Sequence, residues 1–100
     1  MMELMTKCEE MVMSVIWDKG EEESLLPITE AVNRRFDQEW KSQTVSTFLT
    51  RLRGKGYLEC YRIGRVFYYK VLVSKEDYLR QKVAVLCDIF GITKEDIANL

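Results

Sequence analysis

The segment from Lys41 to Lys70 constrains the fold of this chain more than any other part of the sequence. Its first half has apolar residues at the i, i+3, i+4 and i+7 offsets of one helical face, namely Val45, Phe48, Leu49 and Leu52. Ser42 is a suitable N-cap for this helix, and Gly56 can end it by adopting a left-handed conformation. The sequence therefore predicts a helix over residues 42–55 with one buried face.

The opposite face of this predicted helix is unusual for a solvent-exposed surface. No acidic residue occurs between Lys41 and Gly56. The outward positions hold hydroxyl, amide and basic side chains: Gln43, Thr44, Ser46, Thr47, Thr50 and Arg51. Threonine is β-branched and lowers helix propensity, so helix stability does not explain this composition. Short polar side chains form hydrogen bonds with phosphates and base edges, so the pattern is compatible with a DNA-reading helix and with an ordinary solvated one.

Two segments rich in Tyr, Phe and Val follow the helix and have the composition of β-strands. They span residues 57–62 and 66–73, and Gly64 between them can supply the positive φ of a tight turn. Arg62 and Arg65 would then lie at the tip of a β-hairpin. These arginines are either ordinary surface charges or the contacts of a wing with phosphates and a neighbouring minor groove. Because the hairpin directly follows the hydroxyl-rich helix face, we favour the wing.

Two further helices are predicted before this segment. Residues 6–19 have an apolar helical stripe, and Thr6 and Glu9 have the spacing of a capping box. Pro27 fits the first turn of the second helix, which a connector over residues 37–41 joins to the third. Helices two and three form a helix-turn-helix, and the hairpin is its wing. The predicted fold is therefore mainly α with a small β-hairpin, a winged helix-turn-helix with a three-helix core.

A long helix after the hairpin is predicted to mediate dimerisation. It spans residues 75–90 with Ser74 as N-cap, and it is apolar on more than one side. Such a helix needs two surfaces to bury it. Both can belong to its own domain, but we favour a second copy, because DNA readers of this size usually gain specificity from two-fold pairing. The predicted dimerisation residues are Tyr78, Leu79, Val83, Leu86, Ile89 and Phe90.

Two domains follow from this organisation. We expect a winged-helix DNA-binding domain over residues 1–73 and a C-terminal helical dimerisation arm over residues 74–100. Within the first domain, residues 21–26 predict a loop whose acidic run at 21–23 faces away from DNA. Residues 24–26 are a candidate short strand within that loop.

The net charge of −1 hides an uneven distribution. Residues 1–33 contain eight acids and two bases, which gives −6. Residues 34–70 contain nine bases and three acids, which gives +6, and residues 71–100 contain four bases and five acids, which gives −1. The local charge of +6 coincides with the predicted reading unit and is the electrostatic footprint expected of a nucleic-acid binder.

The composition argues against several other classes. The chain has no His, no Gly-rich phosphate loop and no nucleophile motif, so we expect that it is not an enzyme. The three cysteines, Cys8, Cys60 and Cys87, are scattered, so we predict reduced thiols and no metal site or cofactor. No apolar run reaches the length of a membrane span, and the N-terminus lacks the features of a signal peptide. We therefore expect a cytoplasmic protein that does not contact the membrane.

Ordered motifs in three elements resemble a known family. The third helix has the pattern Thr44-Val45-x-Thr47-x-Leu49-x-Arg51-Leu52-x-x-Lys55-Gly56, and the hairpin has Gly64-Arg65-x-Phe67-x-Tyr69. The first helix has Glu9-x-Met11-Val12-Met13-x-Val15-Ile16-Trp17. These motifs resemble the penicillinase and methicillin-resistance repressor family (BlaI/MecI type), to which copper-responsive CopY-type repressors are related. The resemblance extends from about residue 6 to residue 90.

The resemblance implies a homodimeric winged-helix repressor that binds a palindromic operator and is inactivated when a membrane-bound sensor protease signals a β-lactam. Duplex DNA, a second copy of the chain and a sensor protease are the implied partners. By motif position, the DNA-binding residues would be Lys41, Ser42, Gln43, Thr44, Ser46, Thr47, Arg51, Arg62 and Arg65. The paired C-terminal cysteines of copper-responsive members are absent, which argues against copper sensing. The arm is short for the family, so we expect a short member or a piece of a longer chain.

The alternative from another class is a winged-helix protein-interaction module that uses its basic face to bind an acidic protein. Binding to duplex DNA with the salt dependence of phosphate neutralisation would separate the two functions.

Overall fold

The computed structural model describes residues 2–20 and 22–100, and these residues form five α-helices and three β-strands. The helices are α1 (Lys7–Lys19), α2 (Leu25–Phe36), α3 (Ser42–Gly54), α4 (Lys75–Phe90) and α5 (Lys94–Ala98). The strands are β1 (Glu22–Ser24), β2 (Leu58–Ile63) and β3 (Val66–Val71). The predicted mainly helical fold, a winged helix-turn-helix, is confirmed by this order of elements.

The core lies between α1, α2 and α3, where each helix buries one apolar stripe. Val12 and Ile16 of α1 are fully buried, as are Ile28 and Val32 of α2. In α3 the fully buried residues are three of the four predicted ones, Val45, Leu49 and Leu52. Burial of each such side chain contributes about 1.5–3 kcal/mol relative to an exposed one, so this packing holds α3 on the other two helices.

The sheet has three antiparallel strands in the order β1-β3-β2. The sequence predicted the hairpin of β2 and β3 and placed its candidate third strand at residues 24–26. Glu22 pairs with Lys70 and Ser24 with Tyr68, so the predicted loop over 21–26 is wrong for residues 22–24. The candidate strand over 24–26 is correct only at Ser24, which ends β1, because α2 begins at Leu25. Glu21 lies outside the described residues. Pairing with β3, which is distant in sequence, stabilises this acidic strand.

The predicted N-cap of α3 is corrected by one residue. Lys41 is the N-cap, with extended backbone angles, and Ser42 is the first helical residue. Among the described residues no side chain caps this helix end. At the other end Gly56 has a φ of +89°, which confirms the left-handed termination predicted there.

A hydrogen-bonded clamp fixes the turn between α2 and α3. The side-chain amide of Asn33 donates to the Trp40 carbonyl at 2.9 Å and accepts from the Trp40 backbone N–H at 3.0 Å. The Trp40 ring packs against Phe48 of α3 with 5.2 Å between ring centroids. This clamp joins α2 to the beginning of α3 and so orients the outer face of α3.

The C-terminal arm, α4 and α5, projects from the winged-helix unit. The molecule measures 48 × 27 × 20 Å, and its radius of gyration is 15.0 Å. A compact chain of this length would have a radius of gyration of about 13 Å. The side chain of Ser74 caps α4 by accepting from the Asp77 backbone N–H, as predicted. Beyond its first turns, α4 therefore presents much of its surface to solvent.

Candidate nucleic-acid interface

The outer face of α3 is open to solvent. The exposed residues here are Lys41, Gln43, Thr44, Thr47, Thr50 and Arg51, and five of these were predicted to bind DNA. Ser42 and Ser46 are half-buried. The start of α3 has no side-chain cap among the described residues. The Thr44 backbone N–H donates to the Lys41 carbonyl at 3.0 Å, and the N–H groups of Ser42 and Gln43 remain available as donors.

Two hydroxyl groups on this face donate to the helix backbone. Thr47 Oγ1 donates to the Gln43 carbonyl at 3.2 Å, and Thr50 Oγ1 donates to the Ser46 carbonyl at 3.0 Å. Each bond uses the hydroxyl proton and leaves the oxygen lone pairs and the methyl group for a ligand. These threonines can therefore accept hydrogen bonds from the amino groups of adenine or cytosine and can contact thymine methyl groups.

Ser46 faces the wing more than it faces outward. It lines a groove of about 410 Å³ between α3 and the hairpin, together with Arg53, Cys60 and Tyr69. Burial raises the pKa of Tyr69 above its ordinary value, and the neighbouring Arg53 charge only partly offsets this shift. Ser46 is therefore at the edge of the interface, where it joins the reading helix to the wing.

The wing tip is a two-residue turn at Gly64 and Arg65, where Gly64 has a φ of +61°. Arg62 lies beside it on β2, and both arginines are exposed, as predicted. Arg62 Nε donates to the Gly64 carbonyl at 2.6 Å, and its guanidinium lies 5.6 Å from the centre of the Phe67 ring. Arg65 forms no ion pair with the residues described, so its charge is free for a phosphate.

Arg53 is a basic residue of this surface that the sequence analysis missed. It is exposed in the last turn of α3 and lines the groove toward the wing with Thr50. The spacing of Arg51, Arg53 and Lys55 at the end of α3 was the available signal, but it does not indicate which of them point outward. The structure resolves this, because Lys55 turns inward to a carboxylate.

Two acidic residues of the sheet, Glu22 and Glu59, lie on the face opposite the buried Tyr69, whereas Glu23 pairs with Tyr69 and shares its face. Alternation along β3 directs Lys70 to the side opposite the buried Tyr69, and Lys70 has Glu22 and Glu59 as its cross-strand neighbours. Glu22 accepts a hydrogen bond from the Tyr61 hydroxyl, which raises the pKa of Tyr61 to about 12. Glu22 therefore lies away from the groove beside α3, whereas Glu59 also borders a cleft at the end of α3 with Thr50 and Arg53.

Most residues predicted to mediate dimerisation form an exposed apolar face on α4. Leu79, Leu86, Ile89 and Phe90 are 47%, 40%, 71% and 67% exposed, and Val83 is half-buried. Tyr78 is only 2% exposed, because its ring packs between Trp17 and Tyr57 in the core of its own chain. We therefore correct the assignment of Tyr78 from the dimerisation face to the core.

A polar reading helix held by a helix-turn-helix, with arginines on an adjacent wing, defines a winged-helix DNA-binding protein. The family model of the penicillinase repressor matches residues 5–99 of this chain, and the chain therefore belongs to the penicillinase repressor family. Members of this family are DNA-binding transcriptional repressors and not enzymes.

A solved structure with the same fold is the DNA-binding domain of the repressor BlaI in solution. It is 30% identical to this chain, with a TM-score of 0.63, and the match covers 78% of this chain and 94% of that domain. No protein with a curated description gives a significant match. In the described part of the chain, no helix is long and apolar enough to cross a membrane.

Proposed function

We propose that the chain represses transcription as a homodimer bound to a palindromic operator, with α3 in the major groove and the hairpin over residues 57–73 as the wing. The observation that supports this most strongly is the outer face of α3. It has no acidic residue from Lys41 to Gly56, and it lies beside the exposed arginines of the wing. An acid-free face beside basic side chains avoids repulsion of the DNA phosphates, and its hydroxyl and amide groups can form hydrogen bonds with the backbone and base edges.

In this proposal, different parts of the surface hold the backbone and read the bases. Lys41 and the backbone N–H groups of Ser42 and Gln43 bind one phosphate, because the uncapped helix end carries a partial positive charge. Gln43, Thr44 and Thr47 contact base edges. Arg51 and Arg53 flank them on the backbone, with Ser46 at the edge.

The wing holds the neighbouring stretch of DNA. Arg65 at the turn is free to contact a phosphate, while Arg62 is oriented by the Gly64 carbonyl and the Phe67 ring. An oriented guanidinium loses less conformational freedom on binding than a mobile one. The two arginines therefore fix the register of α3 without contributing sequence preference.

The exposed apolar face of α4 supports homodimerisation through Leu79, Val83, Leu86, Ile89 and Phe90. Contiguous apolar surface of this kind is costly in water and typically marks an interface. Two-fold pairing would present two copies of α3 to successive major grooves and would require a palindromic operator.

Family membership supports a regulatory setting for this repressor. We propose that it acts in the cytoplasm on an operon for β-lactam resistance or another stress response, and that a sensor protease relieves repression. The motif positions that match the family support this part of the proposal; no contact within the chain bears on it.

Selection from a randomised duplex library, followed by a salt titration of the selected sequence, tests the proposal. We expect a palindromic consensus and an observed binding constant that falls steeply with salt, as phosphate neutralisation requires. A folded protein that enriches no sequence would contradict the proposal. It would favour the interaction module that binds an acidic protein, which capture of such a partner would then identify.

A further inference from the structure

The segment Met2–Met5, here called the strap, lies between the end of the reading helix and the beginning of the C-terminal arm. It precedes α1 in the chain and is not part of a helix or strand. Met5 is buried, and Met2 and Leu4 are half-buried against the core. The strap is therefore packed on the molecule along its length, and its polar backbone groups have specific partners.

On one side the strap is bound to the residues that follow α3. Lys55, the C-cap of α3, donates from Nζ to the Leu4 carbonyl at 3.2 Å. The Tyr57 hydroxyl donates to the Glu3 carbonyl at 2.5 Å. The approach is close, since a Cβ on Gly56 would lie 3.2 Å from the terminal methyl carbon of Met2.

On the other side the strap is bound to the first two turns of α4. The Met5 backbone N–H donates to the Tyr78 hydroxyl at 3.1 Å, and the Gln81 side-chain amide donates to the Met2 carbonyl. The Tyr78 hydroxyl in turn donates to Glu10 of α1 at 2.7 Å. Backbone groups of four consecutive residues thus connect the end of α3 to the root of α4.

Beyond these turns, no other described element of the same chain covers Leu86, Ile89 and Phe90 on the apolar face of α4, and these residues are exposed. The direction of the arm relative to α3 is therefore determined near its root. Contacts there come from the strap, from the Tyr78 ring against Tyr57 at 5.4 Å, and from Trp17, whose indole N–H donates to the Val73 carbonyl at 3.0 Å. Glu10 of α1 adds an ion pair with Lys82 and accepts from the Tyr78 hydroxyl.

We propose that the strap, held by Tyr78 and Gln81, sets the angle between α3 and α4 and thereby the spacing of the operator half-sites that the dimer accepts. This inference rests on the proposed homodimeric operator binding. In a two-fold dimer paired through α4, a fixed angle at the root of each arm fixes the separation of the two reading helices. Tyr78 and Gln81 are positioning residues, because neither lies on the DNA-facing surface.

The test compares Tyr78→Phe/Gln81→Ala with Arg80→Ala. The first variant removes the hydrogen bonds of the strap with α4, together with the Tyr78–Glu10 bond, and keeps the aromatic ring in the core. Gln81→Ala alone leaves the Tyr78–Glu10 bond in place and so isolates a strap contact. Arg80 lies on the same turn of α4 but pairs only with the exposed Asp77, so its replacement is the matched control. Affinity is measured for operator duplexes whose half-site spacing is the selected one, one base pair shorter or one base pair longer.

We expect the parent and Arg80→Ala to prefer one spacing. In Tyr78→Phe/Gln81→Ala, the ratio of affinities for the preferred and the altered spacing should fall by about three- to tenfold. A factor of this size corresponds to the net contribution of one or two hydrogen bonds. A merely structural role would lower affinity equally at all spacings. An unchanged spacing preference in the folded variant would overturn the inference. If the double variant does not fold, the same comparison is made with Gln81→Ala alone.

A second readout does not depend on dimerisation or DNA. Spin labels are placed on cysteines introduced at Arg53 and Asp88, in a chain whose three native cysteines are replaced by Ser. The labelled chain is mixed with an excess of unlabelled chain, so that the distances reported are those between α3 and α4 within one chain. We expect a narrow distribution in the parent and a broadened one in Tyr78→Phe/Gln81→Ala. Equal widths would overturn the strap's role even if operator binding is established. A broadened distribution without operator binding would contradict the proposed function alone.

Discussion

At the scale of single residues, the ion pair between Glu9 and Lys55 is the most buried ion pair among the described residues. Glu9 is fully buried, and its Oε1 lies 2.6 Å from Lys55 Nζ, while Oε2 has no hydrogen-bond partner among the described residues. Burial raises the pKa of Glu9, but the hydrogen bonds and charge of Lys55 together with the Thr6 backbone amide lower it below its ordinary value. The pair therefore stabilises α1, the strap and the end of α3 together.

Replacement of Lys55 with Met should destabilise the protein by about 3 kcal/mol, because it leaves the Glu9 carboxylate buried without a counter-ion. The free energy of unfolding in urea measures this. Arg80→Met removes an exposed partner of Asp77 and is the control, with an expected change below about 0.5 kcal/mol. The variant Lys55→Met/Glu9→Gln should recover part of the loss. A Lys55→Met variant as stable as Arg80→Met would contradict the role of the pair.

Glu9 also predicts how stability depends on acidity. Since its pKa in the folded protein is below the ordinary value of 4.5, its contribution is present above pH 4.5 and is lost as pH falls toward the folded pKa. The free energy of unfolding should decrease more steeply in the parent than in Glu9→Gln as pH is lowered below 4.5. Identical slopes for the two proteins in urea titrations at several pH values would contradict this.

At the scale of elements, α3 shows which features the sequence determined and which it did not. Its buried stripe was predictable, because apolar spacing alone defines one face of a helix. The N-cap at Lys41 and the clamp of Asn33 on Trp40 were not, since both depend on how the α2–α3 turn closes. Strand β1 escaped prediction because three polar residues have little intrinsic strand preference, and the pairing with β3 decides the outcome.

The candidate site was predictable to a similar degree. The outward face of α3 and the arginines of the hairpin follow from helical periodicity and from the turn at Gly64. The inward rotation of Ser46, the exposure of Arg53 and the burial of Tyr78 depend on contacts between elements far apart in the sequence. Sequence periodicity gives the face on which a residue lies, and tertiary packing determines whether another element covers that face.

The wing provides a paired test of phosphate contact. Arg65→Ala should weaken binding to all duplex sequences and reduce the slope of the logarithm of the binding constant against the logarithm of salt concentration by about 1. Lys70→Ala removes the same charge from the other face of the sheet and is the matched control, expected to leave that slope unchanged. If Lys70→Ala reduced the salt dependence of binding more than Arg65→Ala does, the Lys70 face of the sheet would be the one that contacts DNA.

At the scale of the whole molecule, charge and shape are both polarised. Four acidic residues of the first third form ion pairs away from the outer face of α3: Glu3 and Glu9 with Lys55, Glu10 with Lys82, and Asp18 with Arg35. The arm extends the molecule to 48 Å and exposes its apolar face. A domain boundary at residue 73 stays a prediction, and the contacts of Tyr78 and Gln81 tie the first two turns of α4 to the winged-helix unit.

Dimerisation through the arm predicts the effect of a charge on its apolar face. Leu86→Asp should give a monomer in sedimentation and lower operator affinity by about 100-fold or more, because the second half-site no longer binds as part of one particle. Arg80→Asp introduces a carboxylate at an exposed polar position of the same helix and should remain dimeric. An unchanged mass for Leu86→Asp would place the interface elsewhere.

The most direct test of base reading by α3 is to repeat the duplex selection with Thr47→Ala. The Thr47 side chain is fixed by the Gln43 carbonyl and presents its methyl group and lone pairs outward. We predict a consensus altered at one position, symmetrically in both half-sites, with a loss of discrimination of about 1 kcal/mol there. If Thr47→Ala selected the same consensus as the parent and bound it with uniformly lower affinity, base reading by this face would be contradicted. The assignment of α3 as the recognition helix would then be contradicted as well.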